Sequence, residues 1–249
     1  MEKIKKQLEE KWELVKEKNL TLSKDLIKKL QIELIFLASN FEGLKITHKE
    51  AELVVLNSGL KIEFGNKSLL QAKGQKIALD FAEDFAKKDQ VLDIYIIKDI
   101  HRMILGEVWK DVAGEYRKEE VLFKKSKFLP PHYSKVAEEM HFFDKWLVET
   151  QKELNAKDIW DILVFATQTF HQLVKIHPFR DANGRVARVV FNLICRKYNL
   201  PYVLIPKSGK EEKFLQALEK ADFGEMEPIY QVMGRFLLNS FDILLKNSV

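Results

Sequence analysis

Apolar positions recur with helical periodicity in two pieces over residues 2–37. In the first piece Ile4, Leu8, Trp12 and Val15 follow one another at three- and four-residue spacings, which lines one helix face. Asn19 and Leu20 interrupt the pattern. Thr21 or Ser23 can cap a second helix carrying Leu26, Leu30, Leu34 and Leu37 on its apolar face. SNFEG at 39–43 stops that helix, with Gly43 as terminator, and Thr47 or His48 leads into the short helix HKEAELVVL. The stretch SGLKIEFGNK at 58–67 reads as a surface turn. Helices are predicted next at about 68–88 and 94–108.

Residues 112–131 change character. Gly114 is followed by the β-prone run VLF at 121–123, a polar KKSK centre, and Phe128 before Pro130 and Pro131, a pattern that predicts a small β-hairpin. The proline pair ends it, and Ser134 is placed to cap a helix carrying Val136, Met140, Phe143 and Leu147. Asp158 or Asp161 begins a long apolar helix that runs to about Ile176, where Pro178 breaks it. Another helix runs from Gly184 or Arg185 to Tyr198, ended by Asn199 and Pro201. Two more, at about 209–222 and 226–246, complete an all-α chain interrupted by one hairpin, with no repeats and no low-complexity segment. The expected division is an N-terminal helical region, 1–67, and a second unit, 68–249.

Composition agrees with this reading. The 249 residues include only 10 Gly and 6 Pro, too few for an all-β chain built on tight turns, and 46% are hydrophobic, enough for one sizeable core. The net charge of +4 comes from lysines scattered among carboxylates, so no nucleic-acid-binding face is expected. No stretch approaches the roughly 18 apolar residues of a membrane span, and the charged start MEKIKKQLEEKWE has no apolar leader core, so a soluble cytoplasmic protein is expected. The one cysteine, Cys195, lies in the apolar run VVFNLIC and reads as a buried structural thiol. The six histidines form no HExxH or paired His/Cys pattern. His171 on an apolar helix reads as a satisfied core residue, and His101 and His141 belong to no motif. The four tryptophans sit in helical apolar patterns and read as core or dimer contacts rather than base-stacking platforms.

Chemistry concentrates in HPFRDANGRVAR at 177–188, between two apolar helices. The first amides of a helix have no intrahelical partner and carry the positive end of the macrodipole, so they attract phosphate. Asn183 and Gly184 are residue types that tolerate the left-handed conformations of an anion-binding nest. Arg185 and Arg188 share one helix face and can direct both forks at one phosphate chain. Asp181 supplies a hard oxygen ligand suited to Mg²⁺, and His177 has an ordinary pKa near neutrality, suited to a general base. Any one of these residues alone reads as part of a plain helix-loop-helix turn, with Asp181 and Asn183 as caps and the arginines solvated. A turn does not need all of them together. Phe179 reads as the core anchor of the loop.

The loop resembles the signature of the Fic family, H-x-F-x-(D/E)-G-N-G-R-x-x-R. His177, Phe179, Asp181, Asn183, Gly184, Arg185 and Arg188 match, and Ala182 stands where the family has Gly. If that position needs positive φ, Ala strains it by about 1 kcal/mol; if it needs only small size, nothing is lost. IHRMILGEV at 100–108, GEYRKEEVLF at 114–123, LPPHYSKV at 129–136, NLPYVLIP at 199–206 and ALEKADFGEMEPIY at 217–230 also resemble family segments, so the likeness covers about residues 90–235. It implies a Fic-type helical bundle with a hairpin flap, and transfer of AMP from ATP to a Ser, Thr or Tyr hydroxyl on a target protein or on the chain itself.

Under that resemblance His177 is the general base and Asp181 holds Mg²⁺ against the phosphates. Asn183 and Gly184 cradle the phosphates, and Arg185 and Arg188 neutralise them. The protein substrate would lie along the flap at 121–128 by strand addition, with His132 and Tyr133 at its border or simply on the surface. Many family members carry an inhibitory (S/T)-x-x-x-E-(G/N) motif, which SNFEG resembles. Glu42 would then pair with Arg188 and exclude the γ-phosphate, and a water positioned by Glu42 would permit the reverse hydrolysis. The spacing departs by one residue, since Ala38 occupies the Ser/Thr position, and an ordinary helix-end carboxylate is the alternative. Family members often self-associate, but no self-complementary face is legible. Transfer of another phosphate-containing group, such as a phosphoryl group, and a catalytically weak interaction module are the competing readings.

Overall fold

The structure is a computed structural model and describes residues 1–63, 65–121, 128–205 and 211–247. Among these residues every regular element is helical. The first half contains α1 (Glu2–Glu17), α2 (Lys24–Phe41), α3 (His48–Leu56), α4 (Lys67–Ala86) and α5 (Ile94–Leu105). A short 3-10 turn, Tyr133–Lys135, then leads into α6 (Val136–Glu153), α7 (Ile159–Ile176), α8 (Asn183–Lys197), α9 (Glu211–Asp222) and α10 (Glu227–Asn247). The hairpin expected at 121–128 falls almost wholly on residues outside the described ones.

Local chemistry sets most of the helix ends. Ser23 Oγ accepts from Leu26 N at 3.1 Å and opens α2. Thr47 and Glu50 form a reciprocal capping box at the start of α3. Asp158 caps α7 by accepting from the amides of Trp160 and Asp161. Ser134, expected to cap the helix after the proline pair, does not: the N-cap of α6 is Lys135, whose side chain caps none of the first amides. The ring of His132 takes the Ser134 hydroxyl and amide instead, which turns the chain once before α6 begins.

Ile4, Leu8, Trp12 and Val15, the apolar stripe of α1, are all buried, against α7 and α10. Helix α8 is the centre of the packing, lying against α7, α4, α5 and α2. One apolar cluster runs through the molecule and takes side chains from both sides of the 67/68 division. Cys195 lies inside it, and burial pushes its thiol up to about 12, which makes it inert as a nucleophile. Trp12 and Trp160 also pack inside, whereas Trp109 is 40% exposed.

Two features of this packing place the chemistry. Helices α7 and α8 lie side by side, so the loop joining them, 177–182, is held against the body of the protein. The end of α2 reaches the same place. Asn40 donates its side-chain amide to Phe36 O at 2.9 Å and Ile46 O at 2.8 Å, and Gly43 adopts φ 84°, so the chain turns sharply just after Glu42.

Candidate active site

The loop is built around two residues with left-handed backbone. His177 ends α7 at φ 52°, ψ 56°, and Ala182 precedes α8 at φ 63°, ψ 12°. The nest residues expected to be left-handed, Asn183 and Gly184, are instead the first two residues of α8. Asn183 works through its side chain: Oδ1 accepts from Phe179 N at 2.9 Å and Nδ2 donates to Phe179 O at 2.8 Å, closing the loop on itself. Gly184 has ordinary helical torsions, and its missing side chain leaves room for the ends of Glu42 and Arg188. A Cβ there would lie 2.6 Å from Glu42 Oε1 and 3.0 Å from Arg188 Nη1. Ala182 is the N-cap of α8 and has no side chain that can accept, so the helix N-terminus presents its first amides without a side-chain cap.

The Nδ1 atom of His177 lies 3.3 Å from Val174 O. A carbonyl only accepts, so this contact fixes the proton on Nδ1 and leaves Nε2 with its lone pair. Burial drives the imidazole down to about 4, with a smaller push from the positive charge of Arg117, so the ring is neutral at pH 7. Asp181 is half-exposed, and its Oδ1 accepts from Ala182 N at 2.7 Å. Phe179 is fully buried, as expected of the loop's anchor.

The two arginines are not solvated; both are almost completely buried. Arg185 Nε donates to Glu42 Oε2, Nη1 donates to Gln71 Oε1 at 2.6 Å, and Nη2 lies 3.5 Å from Asp181 Oδ2. Glu42, expected opposite Arg188, thus makes its ion pair with Arg185. The reason is where α2 ends: the Glu42 carboxylate arrives over Gly184, beside the next residue of α8. The Arg188 guanidinium lies over the Phe41 ring, 4.3 Å from its centroid, and donates from Nη1 to Gly184 O at 3.0 Å. Glu42, Arg185 and Arg188 therefore gather at the first turn of α8.

Three residues around the loop lie outside the 177–188 signature, although His101 and Arg117 fall in segments that resemble the family. His101 is fully buried and stacks on Phe179, with ring centroids 3.8 Å apart. Its Nδ1 accepts from Gly114 N at 2.8 Å, so Nε2 carries the proton and donates to Asp181 O at 3.2 Å. Burial holds this ring at about 4 as well. Arg117 donates from Nε to His177 O at 2.9 Å, and Gln71 holds Arg185. His171, by contrast, is the satisfied core histidine expected, bonded to Asp222 Oδ1 at 2.9 Å.

Asp181 is the one carboxylate of the loop that could hold Mg²⁺. Among the described residues no cluster of three or more His, Cys, Asp or Glu side chains stands ready for a metal. Mg²⁺ does not need one when phosphates complete its shell, and a single half-exposed carboxylate beside a helix N-terminus fits that mode. No described helix is long and apolar enough to cross a membrane.

Comparison with known proteins gives concordant results. The Fic/DOC family matches residues 91–195. A protein adenylyltransferase Fic of Nematostella vectensis is 27% identical over 230 residues, covering 90% of this chain and 51% of the relative. The chain thus spans about half the length of that relative. A Fic domain containing signaling protein from Bacteroides thetaiotaomicron superposes with a TM-score of 0.81 at 21% identity, over 98% of this chain and 97% of that one. The BepC protein of Bartonella tribocorum, solved with AMPPNP bound, superposes at 0.53 with 17% identity over 73% of this chain and 94% of its own.

Proposed function

The chain is a Fic-family protein, and from that premise we propose that it transfers AMP from ATP to a Ser, Thr or Tyr hydroxyl of a protein substrate, itself included. The observation that carries the proposal is a neutral His177, its Nδ1 tied to Val174 O, beside a helix N-terminus that has no side-chain cap. In this reading Nε2 takes the proton of the target hydroxyl as its oxygen attacks the α-phosphorus. The bond from that phosphorus to the bridging oxygen breaks, and pyrophosphate leaves with the electron pair. The first amides of α8, around Asn183 and Gly184, receive the phosphates, and Arg185 and Arg188 balance their charge. Asp181 would hold Mg²⁺, which when bound neutralises phosphate charge. The target segment would lie along residues 121–128.

Glu42 restrains this site. Its carboxylate occupies the first turn of α8 and engages Arg185, so an incoming phosphate must displace it. Autoinhibition by Glu42 accordingly runs through Arg185, with Arg188 alongside.

Intact-mass spectrometry after incubation with ATP and Mg²⁺ tests the proposal. An AMP adduct is expected, stronger when Glu42 is replaced by Gly, and absent from His177→Ala while that variant still binds ATP. An adduct of phosphoryl mass, or AMP transfer that survives His177→Ala, overturns it.

A further inference from the structure

A left-handed backbone at a residue with a side chain costs about 1–2 kcal/mol, so the geometry of His177 has to be held from outside. The holder is Arg117. Its backbone N–H donates to Pro178 O at 2.9 Å and its Nε donates to His177 O at 2.9 Å, so one residue grips two successive carbonyls of the loop. The rest of the guanidinium is committed elsewhere: Nη1 donates to Glu119 O at 3.0 Å and Nη2 donates to Pro131 O. The side chain is completely buried, with the Glu120 carboxylate 3.9 Å from Nη1 as its acidic neighbour. Side-chain donors are thus spent on three main-chain carbonyls that come together from three stretches of chain. Only a rigid planar fork meets that requirement, and an ammonium does not reproduce it. No step of the proposed transfer uses this residue.

We infer that Arg117 is a positioning residue for the base: it locks the His177 peptide in the left-handed geometry that aims the imidazole, and braces it against the chain at Glu119 and Pro131. The inference rests on the reading of His177 as the base.

The test uses the full chain carrying Arg117→Lys and Arg117→Ala. Turnover should fall about tenfold to a hundredfold in both, because misplacing a reacting group by about 1 Å costs that much. The dissociation constant for ATP, by titration calorimetry, should stay within about threefold, since no phosphate contact is lost. Added methylguanidinium should restore turnover in Arg117→Ala, and the His177 ring, by nitrogen NMR, should lose its Nδ1–H preference in both variants. Turnover within about twofold of the parent in a folded variant overturns the inference. So does a turnover loss matched by equal loss of ATP binding, with no rescue and an unchanged ring. If Arg117→Ala does not fold, Arg117→Lys, which keeps the stem and charge, decides by turnover and ring state. The ring measurement needs no turnover, so a parent protein that failed to transfer AMP would sink the functional reading while leaving this one to be judged separately.

Discussion

Replacing Glu42 by Ala should make the protein less stable and a better ATP binder at the same time. The change removes the carboxylate that faces Arg185, a guanidinium with only 1% of its side chain exposed. Deleting one member of a buried pair typically costs about 3–5 kcal/mol, because the other charge stays behind. Two features reduce the figure here. Gln71 Oε1 at 2.6 Å and Asp181 Oδ2 at 3.5 Å still face the same fork, and Glu42 itself is 18% exposed, so water can follow it out. A net cost of about 1–3 kcal/mol remains, which for a chain of this size lowers the melting temperature by about 3–10 °C.

The effect on ATP has the opposite sign. A phosphate entering the first turn of α8 no longer has to displace a carboxylate from Arg185. Each 1.4 kcal/mol of relieved competition is about tenfold in affinity, so the dissociation constant for ATP with Mg²⁺ should fall by about tenfold or more. Scanning calorimetry without nucleotide and titration calorimetry with it measure the two halves separately. Glu42→Gln, which keeps an acceptor but not the charge, should fall between the parent and the alanine variant in both. An unchanged melting temperature, or an unchanged ATP affinity in a destabilised variant, refutes the competition argument.

Two further outcomes follow from the loop. Burial holds His101 at about 4 when folded, against about 6.5 in the unfolded chain, so between those values the unfolded state binds the extra proton. Its contribution is complete above pH 6.5 and is lost as the pH falls towards 4, at about 1.4 kcal/mol per pH unit, and the ring of His177 is shifted in the same direction. Urea midpoints at pH 7 and pH 5 should therefore differ less in His101→Gln than in the parent; an equal difference would count against a buried neutral ring. Ala182→Gly relieves about 1–2 kcal/mol of left-handed strain, but forfeits about 0.8 kcal/mol of methyl burial and about 0.4–1 kcal/mol of unfolded-state entropy. The melting temperature should move by less than about 4 °C, and a larger shift in either direction means the alanine is doing something other than filling a small space.

Much of this protein is decided within a few residues of itself, and that part is legible in the amino-acid order alone. The spacing of Ile4, Leu8, Trp12 and Val15 specifies a buried helix face because a helix repeats every 3.6 residues. Ser23, Thr47 and Asp158 open their helices because a short oxygen-bearing side chain reaches the amides two or three positions on. The density of His, Asp, Asn and Arg between 177 and 188 marked the loop as chemical. Where neighbours compete, even local signals mislead, as with Ser134, whose bonds are taken by His132.

Tertiary structure decided what touches what. Glycine and asparagine at 183–184 suggested left-handed torsions there, yet those torsions fall on His177 and Ala182, and Gly184 is small because Glu42 arrives above it. Sequence spacing put Arg185 and Arg188 on one face of a helix but held no information on which of them the end of α2 would meet. Arg117 reaches His177, His101 reaches Asp181, and Gln71 reaches Arg185 across 60, 80 and 114 positions of chain. Two of those three contacts end on backbone carbonyls, which every residue possesses, so no pattern of side chains announces them. The residues proposed to carry the chemistry lie in one short stretch of sequence; the residues that hold them in place reach it only when the chain folds around it.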